Sequence, residues 1–235
     1  MDALPRLVRL APLALLLLLN LGAAQAAPKV EDSLAQRAQA CTPCHGKEGR
    51  AAPDGYHPRL AGKPQGYLYK QLLNFRDGRR DYGLMSELIA PLSDAYLNEL
   101  AGYFAGLDLP YPPPQAPTLP PAQLARGEAL VRQGDAARGI PACVACHGAR
   151  LTGAAPFIPG LLGLPRDYLN GQLGAWRSGQ RRAVAPDCMA EIARRLRPEE
   201  INALSQWLAA QPLPASPKPE PSPPANLPLK CGGLS

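Results

Sequence analysis

The chain has 235 residues, of which 29 are prolines and only 6% are aromatic, and its formal net charge is +6. This length allows one or two domains, but so few aromatic side chains would leave a thin core. The basic residues form no run longer than two. The modest positive charge therefore suits docking to an acidic partner or an anionic membrane surface, and it does not indicate nucleic-acid binding.

Residues 1–26 have the pattern of an export signal. Two arginines precede an apolar run at residues 10–19, and Ala24-Gln25-Ala26 has the small-x-small pattern of a cleavage site. We expect the mature chain to begin at Ala27 in the periplasm. The alternative is an uncleaved anchor, although ten apolar residues are too few to span a bilayer comfortably.

The first half of the mature chain is predicted to be helical. An amphipathic segment at residues 30–40 leads to Cys41-Thr42-Pro43-Cys44-His45, and apolar residues at helical spacing predict a helix over residues 65–76. A loop at residues 77–84 then leads to Met85. Ser93 begins a further helix, because serine is a favoured N-cap residue.

The second half repeats this order after a proline-rich stretch. Residues 107–121 contain too much proline for a helix and predict a stiff connector between two domains. The elements that follow are a helix at residues 122–134, the motif Cys143-Val144-Ala145-Cys146-His147, a loop, a helix at residues 167–178, a loop with Met189, and a helix from Pro198. The tail is again proline-rich, which favours disorder or extended packing over the surface.

The two halves read as copies of one helical unit. Tyr67, Gln71 and Phe75 match Tyr168, Gln172 and Trp176 at an offset of 101 residues. The fold class is therefore predicted as all-α, with two tandem domains. The predicted segments are a signal peptide at residues 1–26, a first domain at 27–106, a linker at 107–121, a second domain at 122–211 and a tail at 212–235.

Each predicted domain carries one C-x-x-C-H motif, which is typical of covalent haem c attachment. Two thiols on one turn reach the two vinyl groups of a haem, and the following His is the proximal iron ligand. The alternatives are a zinc site, which needs no His directly after each cysteine pair, and thioredoxin-like motifs, which call for strand–helix alternation. We expect two covalent haem c groups, held by Cys41, Cys44 and His45 and by Cys143, Cys146 and His147.

Met85 and Met189 are the candidates for the remaining axial position of each iron. They follow the motif histidines by 40 and 42 residues, and no other Met remains once Met1 is removed. His57 could replace Met85, although a loop histidine is the simpler interpretation. The thiolate of Cys188 could replace Met189. The competing interpretations of Cys188 are a free thiol and a disulfide with Cys231, which would pin the tail across the second domain.

Two further sets of residues are ambiguous from sequence. Tyr67 and Tyr168 could contact haem or belong to an ordinary core. Arginines near each Met could pair with haem propionates or an acidic partner, or form a solvated face. This set is Arg76, Arg79, Arg80, Arg177, Arg181 and Arg182.

The combination of motifs resembles the di-haem cytochrome c4 family of bacterial periplasmic cytochromes. The resemblance rests on both C-x-x-C-H-G motifs, on residues 67–78 and their counterpart at residues 168–179, and on the segments around Met85 and Met189. It covers about residues 29–211. It implies two class I cytochrome c domains related by pseudo-twofold symmetry, with both haems His/Met ligated. Cys188 and the proline-rich tail depart from the family's pattern.

The resemblance implies a periplasmic carrier of single electrons. Its donor would be a quinol-oxidising complex or a dehydrogenase, and its acceptor a terminal oxidase or reductase. His and Met together would fill the axial positions and keep substrate from the iron. The alternatives are a di-haem enzyme, such as a peroxidase or a sulfur-compound dehydrogenase, and a permanent cytochrome subunit of a larger oxidoreductase.

Overall fold

The structure, a computed structural model, describes residues 31–234. The predicted signal peptide at residues 1–26 lies outside the described residues. Within the described part of the chain, no helix has the length and apolar character needed to cross a membrane. Most of the regular structure is helical, as predicted, and the strands are two residues long.

The first half contains three helices of more than four residues. Its helices are α1 (Leu34–Arg37), α2 (Thr42–His45), α3 (Gln65–Arg76), α4 (Gly83–Ile89) and α5 (Asp94–Gly106), with 3₁₀ turns at Ala38–Cys41 and Lys47–Gly49. Helix α3 has the predicted bounds and packs against α5. The Ser93 hydroxyl accepts a hydrogen bond from the Tyr96 backbone N–H, so it caps α5 as predicted.

The second half repeats this arrangement and adds a short hairpin. Its helices are α6 (Pro121–Arg132), α7 (Val144–His147), α8 (Arg166–Ser178), α9 (Cys188–Arg195) and α10 (Pro198–Ala210), with a 3₁₀ turn at Ala136–Arg138. Strands β1 (Gly153–Ala154) and β2 (Ile158–Pro159) pair antiparallel, with Ala154 opposite Ile158. Helix α10 packs along both α6 and α8.

Helices α6 and α10 approach each other closely at Gly127. A Cβ atom added there would lie 2.5 Å from the backbone carbonyl oxygen of Ala203. Only glycine fits this contact, because any side chain would collide with the backbone of α10.

The two halves have different cores. In the second half, one continuous cluster runs through Leu130, Leu169 and Leu204. In the first half, the buried side chains form two separate clusters, one around Leu68 and the other around Phe75. Residues of both clusters line the same cavity.

The connector and the tail are extended and fastened to the rest of the chain. Residues 107–120 contain no helix or strand, and the Arg59 guanidinium donates hydrogen bonds to the carbonyls of Leu109 (2.6 Å) and Pro110 (2.9 Å). In the tail, the backbone N–H of Glu220 donates to Gly153 O at 2.9 Å. A disulfide joins Cys188 to Cys231. Of the two outcomes expected for the tail, the structure has extended packing.

Two local predictions were wrong. Met85 and Met189 do not lie in loops; Met85 is in α4 and Met189 is in α9. The side chain of Asp187 caps α9 by accepting a hydrogen bond from the Ala190 N–H, a sequence signal that the prediction missed. The helix predicted at residues 30–40 is shorter, because the chain tightens into a 3₁₀ turn after Arg37.

Candidate functional site

The first cavity has a volume of about 580 Å³ and brings together the predicted site residues of the first half: Cys41, Cys44, His45 and Met85. His45 is buried, and its Nδ1 lies 2.8 Å from the carbonyl oxygen of Pro58. A carbonyl only accepts hydrogen bonds, so Nδ1 carries the proton and Nε2 keeps a free lone pair. Burial lowers the pKa of His45, which favours the neutral, metal-binding form.

The second cavity, of about 210 Å³, repeats this arrangement around Cys143, Cys146, His147 and Met189. The Nδ1 atom of His147 lies 2.8 Å from the carbonyl oxygen of Pro159, and burial lowers the pKa of this imidazole too. Both motif histidines are thus held in the same tautomer by the same kind of partner. Such a hydrogen bond orients a ligand imidazole and strengthens it as a donor.

The motif cysteines do not have the properties of a redox dithiol. Burial raises the pKa of the Cys143 thiol to about 12 and also raises those of Cys41 and Cys146. A catalytic dithiol needs a lowered pKa. Among residues 31–234, no group of three or more His, Cys, Asp or Glu side chains is placed to hold a metal ion, whereas structural zinc takes four ligands. The geometry therefore favours haem over both alternatives.

A layer of polar side chains, which we call the polar wall, lies between the two cavities; it consists of Arg80, which lines the first cavity, and of the six side chains that line both. In it, the Arg80 guanidinium donates to Gln172 Oε1 at 2.6 Å, and that of Arg181 donates to Gln71 Oε1 at 2.8 Å. These crossed hydrogen bonds join the two halves through one layer of side chains. The side chains that line both cavities are Lys63, Tyr67, Gln71, Tyr168, Gln172 and Arg181.

The polar wall contains cations that lack a carboxylate partner. Arg181 is 3% exposed and Lys63 is 7% exposed, and none of the ion pairs formed by the described residues includes either of them or Arg80. Burial lowers the pKa of Lys63 and lowers that of Arg80 to about 10. Buried cations need a counter-charge. The propionates of two haems would supply it.

One further buried donor fits the same group. The indole Nε1 of Trp176 is buried without a hydrogen-bond partner, and Trp176 lines the second cavity. An unsatisfied buried N–H is costly, so an acceptor is expected beside it. A haem propionate in the second cavity would accept this hydrogen bond.

The structure separates the residues that the sequence left ambiguous. Tyr67 and Tyr168 both line the cavities, and although burial alone would raise the pKa of Tyr67, Arg181 and Lys63 lower it to about 8. The remaining arginines lie outside the polar wall. Arg76 and Arg79 pair with Asp94 and Asp77, while Arg177 and Arg182 donate to the carbonyls of Leu196 and Gly78.

Of the two competing axial ligands, one is engaged elsewhere. Cys188 is in a disulfide and offers no thiolate. The other, His57, lines the first cavity with its ring centroid 6.2 Å from that of His45, and its Nδ1 lies 2.6 Å from Asp54 Oδ2, a contact that leaves Nε2 available as in His45. His57 lies in a loop and stays the competing candidate to Met85.

Sequence reasoning missed the role of Lys63, Gln71 and Gln172. The two glutamines were aligned in the repeat, and a polar residue kept at matching positions of two apolar helix faces was the available signal. Lys63 has no counterpart in the aligned segments. Nothing in its local sequence indicates that it is buried.

No protein-family model matches the chain. Individual proteins do. The chain is 39% identical over 188 residues to a "Thiosulfate dehydrogenase electron acceptor" of Thiomonas intermedia, covering 80% of this chain and 86% of that protein. It is 35% identical over 196 residues to a "Cytochrome c4" of Pseudomonas aeruginosa, covering 82% and 94%.

A solved structure agrees with these relatives. The reduced recombinant cytochrome c4 from Pseudomonas stutzeri superimposes with a TM-score of 0.63 and 30% identity, over 75% of this chain and 96% of that one. The similarity thus spans both halves and both C-x-x-C-H motifs. The chain belongs to the cytochrome c4 family, electron-transfer proteins with two covalently bound haem c groups in two tandem cytochrome c domains.

Proposed function

We propose that this protein is a periplasmic carrier that takes single electrons from a dehydrogenase or a quinol-oxidising complex and passes them to a terminal oxidase or reductase. Cys41 and Cys44 hold one haem, and Cys143 and Cys146 hold the other. His45 and Met85 would ligate the iron of the first haem, and His147 and Met189 would ligate that of the second. The observation that carries this proposal is that each motif His shares a cavity with the Met of its own half.

The residues around each cavity suit a carrier. A bound haem supplies one-electron chemistry between ferric and ferrous iron. The chain supplies an imidazole in a fixed tautomer and a thioether that does not titrate. Two protein ligands on each iron leave no position for substrate and change little between redox states. The shared polar wall keeps the two cavities one side-chain layer apart, which favours electron exchange between them.

The first donor to test is a thiosulfate dehydrogenase, because the Thiomonas relative bears the name of an acceptor for that enzyme. Purified thiosulfate dehydrogenase and thiosulfate should together reduce the ferric protein, and neither should do so alone. A quinol-oxidising complex with quinol is the parallel donor. If the quinol-oxidising complex reduces the protein quickly and thiosulfate dehydrogenase does not reduce it, the donor is a quinol-oxidising complex.

Carbon monoxide distinguishes a carrier from an enzyme. The visible spectrum of the reduced protein should not change on addition of carbon monoxide, because Met85 and Met189 close both irons. The ferric protein should show the red-edge charge-transfer band of Met-ligated haem. Rapid carbon monoxide binding by either haem in the native protein would contradict this ligand assignment and favour the enzyme.

The disulfide supports export of the chain to the periplasm. Disulfides persist in oxidising compartments such as the periplasm, and the Cys188–Cys231 bond is of this kind. Secretion would be tested by fractionating cells that express the full chain. Recovery of the haem protein in the cytoplasmic fraction would contradict the periplasmic assignment.

A further inference from the structure

The mouth of the first cavity carries a patch of exposed apolar side chains. Tyr56 is 61% exposed, Leu84 is 70% exposed and Leu88 is 46% exposed, and all three line the cavity that contains His45 and Met85. Single exposed apolar residues are ordinary, but three that line the same cavity are a local concentration of exposed apolar surface. We call these three residues the apolar rim.

The corresponding opening of the second cavity is covered by the tail. Leu227, Cys231 and Leu234 line the second cavity, and the disulfide to Cys188 holds this segment in place. Val184 is the single large apolar side chain left exposed there, at 38%. Within residues 31–234, no segment covers the apolar rim in this way. In the second half, an extended segment with apolar side chains therefore packs over the opening of the cavity.

Acidic side chains surround the apolar rim. Asp81 and Asp167 are exposed and line the same cavity, and Glu87 is exposed on α4 between Leu84 and Leu88. The exposed cation that also lines this cavity, Arg37, stacks on the Tyr96 ring at 5.6 Å. This acidic border contrasts with the net charge of the whole chain, which is +6. Complementary charge steers partners and suppresses wrong ones, so the border selects a basic partner.

We propose that the apolar rim is the docking surface for a basic redox protein that presents an apolar patch around its own redox centre. Electrons then enter or leave through the first haem, while the tail shields the second. Three apolar residues make a small contact, as expected for a transient electron-transfer encounter. This inference rests on the proposed carrier function, because it concerns which haem meets the partner.

Zinc-substituted mitochondrial cytochrome c is a suitable probe, because it is basic and has an exposed porphyrin edge. Its photoexcited porphyrin donates one electron to a ferric haem, so the porphyrin becomes a cation radical and the iron becomes ferrous. Quenching of the porphyrin triplet by the native protein should be fast at low ionic strength and should slow as salt is added.

The decisive variant is Leu84→Gln with Leu88→Gln, and the matched control is Val184→Gln at the second cavity. The rim variant should lower the quenching rate constant about tenfold, since losing central apolar contacts weakens an interface by at least that factor. The control should stay within about twofold. Asp81→Asn with Glu87→Gln should lower the rate at low salt only. In a ¹⁵N-labelled sample, the probe should perturb amides of residues 82–88 and not those near Val184.

Equal effects of the rim and control variants, or quenching that is insensitive to salt, would overturn the docking assignment. A rim-variant rate within twofold of the native rate would do the same. Reduction by ascorbate and the carbon monoxide test keep the proposed function separate. If both haems stay closed and ascorbate reduces every variant normally, only the docking inference fails. If a haem binds carbon monoxide in the native protein, the carrier function itself fails.

Discussion

The first and second cavities are built from equivalent residues, but their walls differ. The first has a volume of about 580 Å³ and an opening bordered by the apolar rim, whereas the second has about 210 Å³ and is lined in part by the tail. The repeat accounts for the shared Cys, His and Met residues. The asymmetry comes from two segments that the first half lacks, the tail and the β1–β2 hairpin, because residues of both line the second cavity.

The two halves also differ at the start of their last helix. In the second half, Glu200 is buried at the start of α10 and binds Arg126, Arg138 and Arg197. The residue that corresponds to Glu200 in the first half is Tyr96, which packs against the core cluster around Leu68 and lies under the Arg37 guanidinium. The second half therefore has a buried charged cluster at the start of its last helix, and the first half has none at the matching position.

Removal of the two methionines proposed as axial ligands should have the largest effect. Met85→Ala and Met189→Ala should each convert a protein that binds no carbon monoxide into one that binds one molecule, and should lower the potential of that haem. Because the tail lines the second cavity, the Met189 variant should bind carbon monoxide more slowly. Flash photolysis would measure both rates. Equal rates in the two variants would show that the tail does not restrict the access of carbon monoxide to the second haem. Absence of binding in both variants would contradict the proposed ligands.

Removal of the disulfide should loosen the second half alone. The bond closes a separation of 43 residues, so Cys188→Ser with Cys231→Ser should lower the free energy of unfolding by about 4 kcal/mol on loop entropy. Denaturant unfolding would measure this, followed by the absorbance band of Met-ligated haem. The two Met variants would show which half loses this band at each transition. An unchanged midpoint would contradict the loop-entropy estimate.

Glu200→Gln tests the charged cluster of the second half. Burial raises the pKa of Glu200, but hydrogen bonds from Arg138 and Arg197 outweigh it, and the net shift is downward. Breaking a buried ion pair of this kind costs about 3 kcal/mol. Since the folded-state pKa is depressed, the carboxylate's contribution is complete above its unfolded pKa of about 4.3 and is lost as pH falls below that value.

The difference between wild type and Glu200→Gln should therefore shrink on acidification. Unfolding free energies at pH 7 and at successively lower pH would measure it. The matched change Tyr96→Phe in the first half should have little effect and no such pH dependence. A Glu200→Gln penalty that is independent of pH would mean that shape, and not charge, is what Glu200 supplies.

A pair of glycine substitutions should have the smallest effect. Gly127→Ala forces a methyl group into the backbone of α10 and should destabilise the protein by about 2 kcal/mol. At Gly102 in α5, the added Cβ would meet only the flexible Gln65 side chain, at 3.2 Å. Gly102→Ala also gains helix propensity and should stay within about 1 kcal/mol of wild type. Thermal unfolding would compare the two, and equal shifts would contradict the difference in helix packing.

Much of the fold was predictable because it depends on local patterns. Helix α3 has the predicted bounds, and the cap at Ser93 and the helix start at Pro198 are confirmed. The helices that carry Met85 and Met189 were missed. Helix α4 has seven residues and no side-chain cap, and so short a helix depends on tertiary packing more than on local sequence.

The sequence by itself determined the cofactor, because C-x-x-C-H places two thiols and an imidazole on one turn wherever that turn lies. It also determined the duplication and the choice of Met85 and Met189 as candidate ligands. The disulfide, the polar wall and the course of the tail were decided by the tertiary structure. Arg80 reaches Gln172, and Arg181 reaches Gln71, only when the two halves meet. Cys188 reaches Cys231 only when the tail crosses the second half. Contacts between distant residues depend on how elements pack, which local periodicity does not encode.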